Sequence, residues 1–272
     1  MQELLNHPAM QGGIAPFVTA LIAAALLRRW QLSGLALIAG FLITAYMSGS
    51  LGLEPLTAIR KSILLGIAAA VLGVVLSKSS WRGMRATLAW AGGAAAIWAV
   101  LRILQQHNEF LTALPWGVGC AAYAGWLIFW TDNLRNQPVR AGSAGLALGL
   151  GTGLAALLGS SALLGLLGLA LGAASWAFLL LQVASARPPP CGRSFTLPLS
   201  LLAALVGCLG VLTAELPWYV LLVLAAIPIA AQIPAPQKSS LWLQSLLLSA
   251  ATLVCAVGAV YLTWRVTGLP PI

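Results

Sequence analysis

The sequence predicts an all-α, polytopic integral membrane bundle of about ten transmembrane helices, and three observations carry that reading. The chain of 272 residues is 60% apolar and only 7% charged, more apolar surface than a water-soluble fold of that size covers. Apolar stretches recur from Gly12 to Val266, each about the length that crosses a bilayer at 1.5 Å per residue. The charges fall almost entirely between these stretches.

In chain order the stretches are Gly12–Leu27, Leu32–Ser50, Ser62–Leu76, Ala86–Leu104, Leu111–Trp130, Ala141–Leu158, Ser161–Val183, Phe195–Thr213, Trp218–Ile233 and Leu241–Thr263. Several are shorter than the ~20 residues of a standard span, so the count lies between eight and ten. The N-terminus lacks the pattern of a cleavable signal: Glu3 precedes the first apolar stretch and Arg28 and Arg29 follow it. Pro188, Pro189 and Pro190 break any helix between the seventh and eighth stretches. No connection is long enough for a soluble domain, so residues 1–272 form a single transmembrane domain.

Charge sets the orientation. With the N-terminus outside, the cytoplasmic connections carry Arg28, Arg29, Lys78, Arg82, Arg85, Arg135, Arg140, Arg187, Arg193 and Lys238. The outer side keeps Arg60, Lys61, Arg102 and Arg265 with Glu3, Glu54, Glu109 and Glu215. This is the positive-inside bias. It places both termini on the periplasmic or extracellular side and suits a bacterial cytoplasmic membrane. Arg60 and Lys61 run against the rule, unless the third helix starts nearer Leu56 and lets both snorkel. Trp30, Trp81, Trp130 and Trp242 fall at inner boundaries and Trp116, Trp218 and Trp264 at outer ones, an aromatic belt.

A weak hairpin repeat links residues 82–140 and 192–240, where Leu111-Thr112-Ala113-Leu114-Pro115-Trp116 is echoed by Leu212-Thr213-Ala214-Glu215-Leu216-Pro217-Trp218. Each proline is expected near the first turn of a returning helix. Duplicated hairpins of this kind recur in transporters, and Pro and Trp are also simply common at outer helix starts.

Composition removes several function classes. The net charge of +9 lies in short loops, with no basic run that would serve nucleic acid. No catalytic residue, metal ligand set or cofactor is assigned: the two histidines, His7 and His107, both lie outside the stretches, and no Asp, Glu or Lys is expected at membrane depth. Cys120, Cys208 and Cys255 read as small hydrophobes within helices. Cys191 falls in a cytoplasmic connection, out of reach of an impermeant thiol reagent from outside.

Three features remain as candidate sites. Arg102, His107 and Glu109 cluster on the outer side of the fourth helix, with Arg102 one turn beyond Trp98 and placed for a cation–π contact; the cluster suits an anionic headgroup or a carboxylate. Trp116, Tyr123, Trp126 and Trp130 form an aromatic stripe on the fifth helix, a wall for a lipid tail or flat hydrophobic ligand, or else core or lipid-facing surface. Gly142, Gly145, Gly149 and Gly153 on the sixth helix face Gly165, Gly168 and Gly172 on the seventh at small-residue spacing, either a tight packed hairpin or a sliding seam. Gly92 and Gly93 fall in mid-membrane, where they can loosen the fourth helix. Ser245, Ser249 and Thr252 form a hydroxyl stripe on the tenth helix, suited to interhelical hydrogen bonds or to a polar path.

These features favour a permease or flippase for a small amphiphilic or weakly polar solute. The alternative is a non-catalytic accessory or scaffold subunit of a larger membrane complex, since coupling charges are absent and small-residue faces are many. A lipid-modifying enzyme is the least favoured reading. The expected partners are membrane lipids, with a membrane-protein subunit or a second copy of the chain as further candidates, and no nucleic acid.

Overall fold

The computed structural model describes residues 7–28, 32–52, 54, 56–78, 81, 83–106, 110–185, 191–234 and 240–268. Among the described residues every regular element is helical. The helices are α1 (Ala15–Leu27), α2 (Ala36–Met47), α3 (Ala58–Val75), α4 (Met84–Gln106), α5 (Phe110–Thr131), α6 (Pro138–Leu158), α7 (Ala162–Ala184), α8 (Arg193–Thr213), α9 (Trp218–Ala225), α10 (Ile227–Ala230) and α11 (Leu241–Thr267). Eight of these helical stretches are long and apolar enough to cross a membrane, at 18 to 27 residues, or about 27–40 Å of rise. Two apolar stretches are shorter, Ser33–Met47 and Trp218–Ala230. The chain is thus a multi-pass helical membrane protein.

The bundle is built around α8. Every residue from Arg193 to Gly210 is buried, as expected of a helix that is apolar on all sides. Helices α3, α5, α6 and α7 pack against it, with α4 and α2 at its flanks. α1 and α2 pack on α7, and α11 closes the other side against α6, α9 and α10. Ser249 Oγ donates to Ser143 Oγ at 3.1 Å, and Thr252 Oγ1 donates to the Ser143 carbonyl at 3.3 Å. The hydroxyl stripe of α11 therefore serves interhelical hydrogen bonding.

Helix boundaries differ from the sequence expectation at three informative places. α3 starts at Ala58, where the Thr57 hydroxyl accepts from the Arg60 amide as N-cap. Arg60 and Lys61 therefore lie in its first turn rather than before it. α4 runs unbroken through Gly92 and Gly93. An added Cβ at Gly92 would strike the Ile128 side chain, and one at Gly93 would come 3.1 Å from the Ala121 carbonyl, so these glycines admit α5 rather than loosen α4. The stretch Trp218–Ile233 is not one helix: it breaks at Ala226 into α9 and α10. Pro228 has no amide proton to give to Leu224, and the Ile229 amide turns to the Ala226 carbonyl at 3.1 Å.

The two echoing turns also differ. Pro217 is the N-cap of α9, whereas Pro115 lies inside α5. The triple proline at 188–190 lies outside the described residues.

The basic connections gather at one end of the bundle, here termed the basic end. There Arg28 Nη1 donates to Ser185 Oγ at 3.2 Å and Arg140 Nη1 donates to the Gln232 carbonyl at 2.9 Å. Cys191 lies at this end but is only 2% exposed. Its failure to react would therefore report burial, not sidedness, and the thiol gives no test of orientation. Burial also pushes the Cys191 thiol up, and the thiolate is the nucleophile. A maleimide is expected to leave Cys191 unmodified in the folded protein at neutral pH, from either side, and to modify it after denaturation. Peptide mass spectrometry reads this directly, and fast labelling of the folded protein would show an open loop. The folded state keeps a proton that the unfolded chain releases above about pH 8.5, so this contribution is intact below that pH and declines above it.

Candidate functional site

Two features stand out from the packed bundle: a lateral groove and a sealed ion pair. The groove lies between α5, α8, α9 and α10 and has a volume of about 830 Å³. Pro115, Trp116, Gly119, Cys120, Tyr123 and Trp126 of α5 form one wall. Trp218, Leu221, Leu222, Ala225, Ala226 and Ile229 form the other, with Val211 between. Trp116, Trp126, Trp218, Leu222 and Ile229 are all more than two-fifths exposed. The groove therefore opens sideways, onto the surface that faces lipid. From Pro115 to Trp126 it follows about 17 Å of helix rise, close to half the ~30 Å hydrocarbon core.

The helix break shapes the second wall. The Ala225 carbonyl loses its regular partner because the Ile229 amide has turned to Ala226. Trp126 Nε1 donates to that carbonyl at 3.0 Å, across the groove's basic-end limit. One indole thus satisfies the backbone that Pro228 disturbs, as any spanning segment requires at membrane depth. Trp130 is not part of the lining and packs instead on Trp126 and Phe129, at 5.6 and 5.9 Å between ring centroids.

Tyr123 turns its ring to the groove and carries its hydroxyl toward Gly207, where an added Cβ would come 3.3 Å from Cε1 and 3.7 Å from the oxygen. That hydroxyl is buried without a hydrogen-bond partner among the described residues. Such a group costs about 1–3 kcal/mol. Beside it, Cys208 Sγ donates to the Cys120 carbonyl at 3.9 Å.

The ion pair was not anticipated. Arg193, at the start of α8, is 2% exposed, and Asp132, just past α5, is 5% exposed. Arg193 Nε donates to Asp132 Oδ1 at 2.8 Å and Nη2 to Oδ2 at 3.3 Å, a two-pronged contact. Nη1 donates to the Leu76 carbonyl at the end of α3 at 3.0 Å. Arg135 Nη1 reaches Oδ2 at 3.0 Å from a third-exposed position, and its carbonyl accepts from the Gly192 amide at 3.0 Å. Gly73 makes room: a Cβ there would strike the Arg193 backbone. One guanidinium thus ties the ends of α3 and α5 to the start of α8. Arg193, expected in a cytoplasmic connection, is instead the first residue of α8, and the helix ends close over the pair. The signal was available: Asp132 is the only Asp in the chain and the only acid among the basic connections.

The remaining expected site residues are dispersed. Arg102 is exposed on α4 and does not line the groove. His107 and Glu109 lie outside the described residues. The cation over Trp98 is not Arg102 but Lys61, whose Nζ stands 4.8 Å from the ring centroid and donates to the Trp98 carbonyl at 3.1 Å. Among the described residues no group of three or more His, Cys, Asp or Glu is placed to hold a metal ion.

The glycines of α6 and α7 meet face to face. An added Cβ at Gly149 would strike the Gly172 amide, one at Gly153 would lie 2.5 Å from the Leu169 amide, and one at Gly168 would lie 2.5 Å from Gly153 Cα. At Gly145 it would meet the Ser175 hydroxyl at 2.5 Å, at Gly165 the Leu157 side chain, and at Gly172 the Leu150 amide at 3.0 Å. The two backbones are in direct contact from Gly149 to Gly153 on α6 and from Gly168 to Gly172 on α7, held by dispersion.

No protein-family model matches the chain, and no curated protein matches it.

Proposed function

We propose that this protein is a permease or flippase for a small amphiphilic or weakly polar solute, which enters sideways from the lipid into the α5–α9 groove. The observation that carries the reading is a lipid-open apolar groove walled on one side by a broken helix. Broken helices at transport sites free backbone groups and give two rigid pieces that can rearrange. The volume suits one ligand-sized molecule, and the length suits a solute resting in one leaflet. The groove ends about 9 Å of helix rise short of Asp132, so passage requires α9 and α10 to move.

The test uses the chain alone, reconstituted in vesicles with fluorescent amphiphiles whose inner-leaflet pool is hidden from a membrane-impermeant quencher. Faster exchange than in protein-free vesicles is expected. Gly119→Trp should slow it at least tenfold without loss of melting temperature, because nothing lies within 4 Å of a Cβ at that position and the new ring fills the groove. Tyr123→Phe removes a buried, unpartnered hydroxyl, so stability is expected to hold or rise. Exchange equal to protein-free vesicles for every amphiphile would sink the proposal.

A second reading, the accessory subunit, has its own support: the ion pairs of Asp132 with Arg193 and Arg135 lie away from the groove. They serve packing, and the groove lining carries no charged group to couple transport to a proton or ion.

A further inference from the structure

We infer that the end of the bundle opposite the basic end carries a binding site for one anionic phospholipid, its headgroup held between Lys61 on α3 and Arg102 on α4. Lys61 Nζ is fixed by the Trp98 carbonyl at 3.1 Å and by the face of the Trp98 ring at 4.8 Å. An ammonium has three protons to donate, so the contact with the carbonyl leaves others directed outward. Trp98, the residue that holds Lys61, and Arg102 stand one turn apart on the same helical face of α4. Arg102 is exposed and makes no hydrogen bond or ion pair among the described residues. Two cations brought together by α3 and α4 repel each other unless an anion lies between them.

The surroundings specify a lipid rather than a free anion. Leu64 lies one turn after Lys61 on α3 and Ile67 one turn after Leu64, and Ile97 and Leu101 flank Trp98 on α4; all four are exposed by 37–41%. An anion held at Lys61 and Arg102 would sit at the head of this apolar strip, as a phosphate sits at the head of its acyl chains. The tryptophan at the junction matches the aromatic belt at the headgroup level. A cation pair at this end also runs against the positive-inside bias, and an anionic ligand is what compensates it. The site is separate from the α5–α9 groove and does not depend on transport.

The experiment is native mass spectrometry of the detergent-purified chain titrated with phosphatidylglycerol or phosphatidylcholine, with melting temperature recorded in parallel. One phosphatidylglycerol is expected to stay bound and to raise the melting temperature, whereas phosphatidylcholine does neither. The double change Lys61→Gln with Arg102→Gln should weaken retention at least tenfold. Arg85→Gln, at the basic end over the Phe129 ring, should leave it unchanged. The charge-conserving pair Lys61→Arg with Arg102→Lys should retain the lipid, which separates charge from packing if the double Gln variant folds poorly. Equal retention of the two lipids, or undiminished binding by the double Gln variant, would overturn the inference. Equal stabilisation by inorganic phosphate alone would overturn the assignment to a lipid.

Discussion

Asp132→Ala is expected to cost about 3–5 kcal/mol of stability, because it leaves the Arg193 guanidinium buried beside no counter-charge. Removing the cation instead should cost less. In Arg193→Leu the carboxylate keeps Arg135, which is a third exposed, and the main loss is an unsatisfied Leu76 carbonyl at about 1–3 kcal/mol. The double variant Asp132→Ala with Arg193→Leu should recover most of the loss of the first, since an apolar side chain of similar length then occupies the same space. Arg193→Lys should behave as a damaging change despite its charge, because a single ammonium cannot span both carboxylate oxygens and the Leu76 carbonyl. Thermal unfolding of the four proteins in one detergent measures the order. An Asp132→Ala protein that melts like the parent would mean that water reaches the guanidinium, and the three helix ends would then not be sealed by it.

Most of the fold was legible because membrane spans announce themselves by length and apolarity, and backbone satisfaction leaves little choice but helix. Each of the ten apolar stretches falls on helix. The glycine faces of α6 and α7 could be matched because the two helices are neighbours in sequence; what escaped was contact between elements far apart in the chain. Asp132 and Arg193 are far apart in sequence, and each sits beside other loop charges, so nothing local marks them as a pair. Pro228 lies within an unbroken apolar run, and a proline there is compatible with a mere kink; only the carbonyl accepted by Trp126 shows that the helix parts. Gly92 and Gly93 illustrate the opposite error, in which a pair of glycines suggests looseness and close packing is the reason for both. Of the site residues, Tyr123 and Trp126 stand in the groove wall and Arg102 stands apart, because a stripe on one helix can be read from spacing whereas a cavity needs its opposite wall. That wall is α9 and α10, whose small residues at Ala225 and Ala226 carry no sequence signal.

The second large effect concerns the α6–α7 seam. Gly149→Leu is expected to lower stability by about 3 kcal/mol or more, at the upper end of overpacking, or to prevent folding. The three atoms nearest to a Cβ at Gly149 all belong to the backbone of Gly172 or Leu171, and backbone in a helix cannot swing aside as a side chain does. Gly149→Ala is the finer probe and should cost about 1–3 kcal/mol. Gly165→Ala should cost less, because the obstructing atoms there belong first to the Leu157 side chain. Gly13→Ala, with nothing within 4 Å, is the neutral control. The same contacts weigh against a sliding seam. Gly149, Gly153, Gly168 and Gly172 engage the opposing backbone at successive heights, so a shift of α6 along α7 would drive carbonyls and side chains into all of them together. The turn at Gly159 to Ser161 is also too short to permit a large shift. The hairpin therefore belongs to the rigid frame, and motion falls to α9 and α10. Loss of folding and of exchange in parallel across the glycine series would agree with this. Normal folding of Gly149→Ala with exchange abolished would return the moving part to the seam.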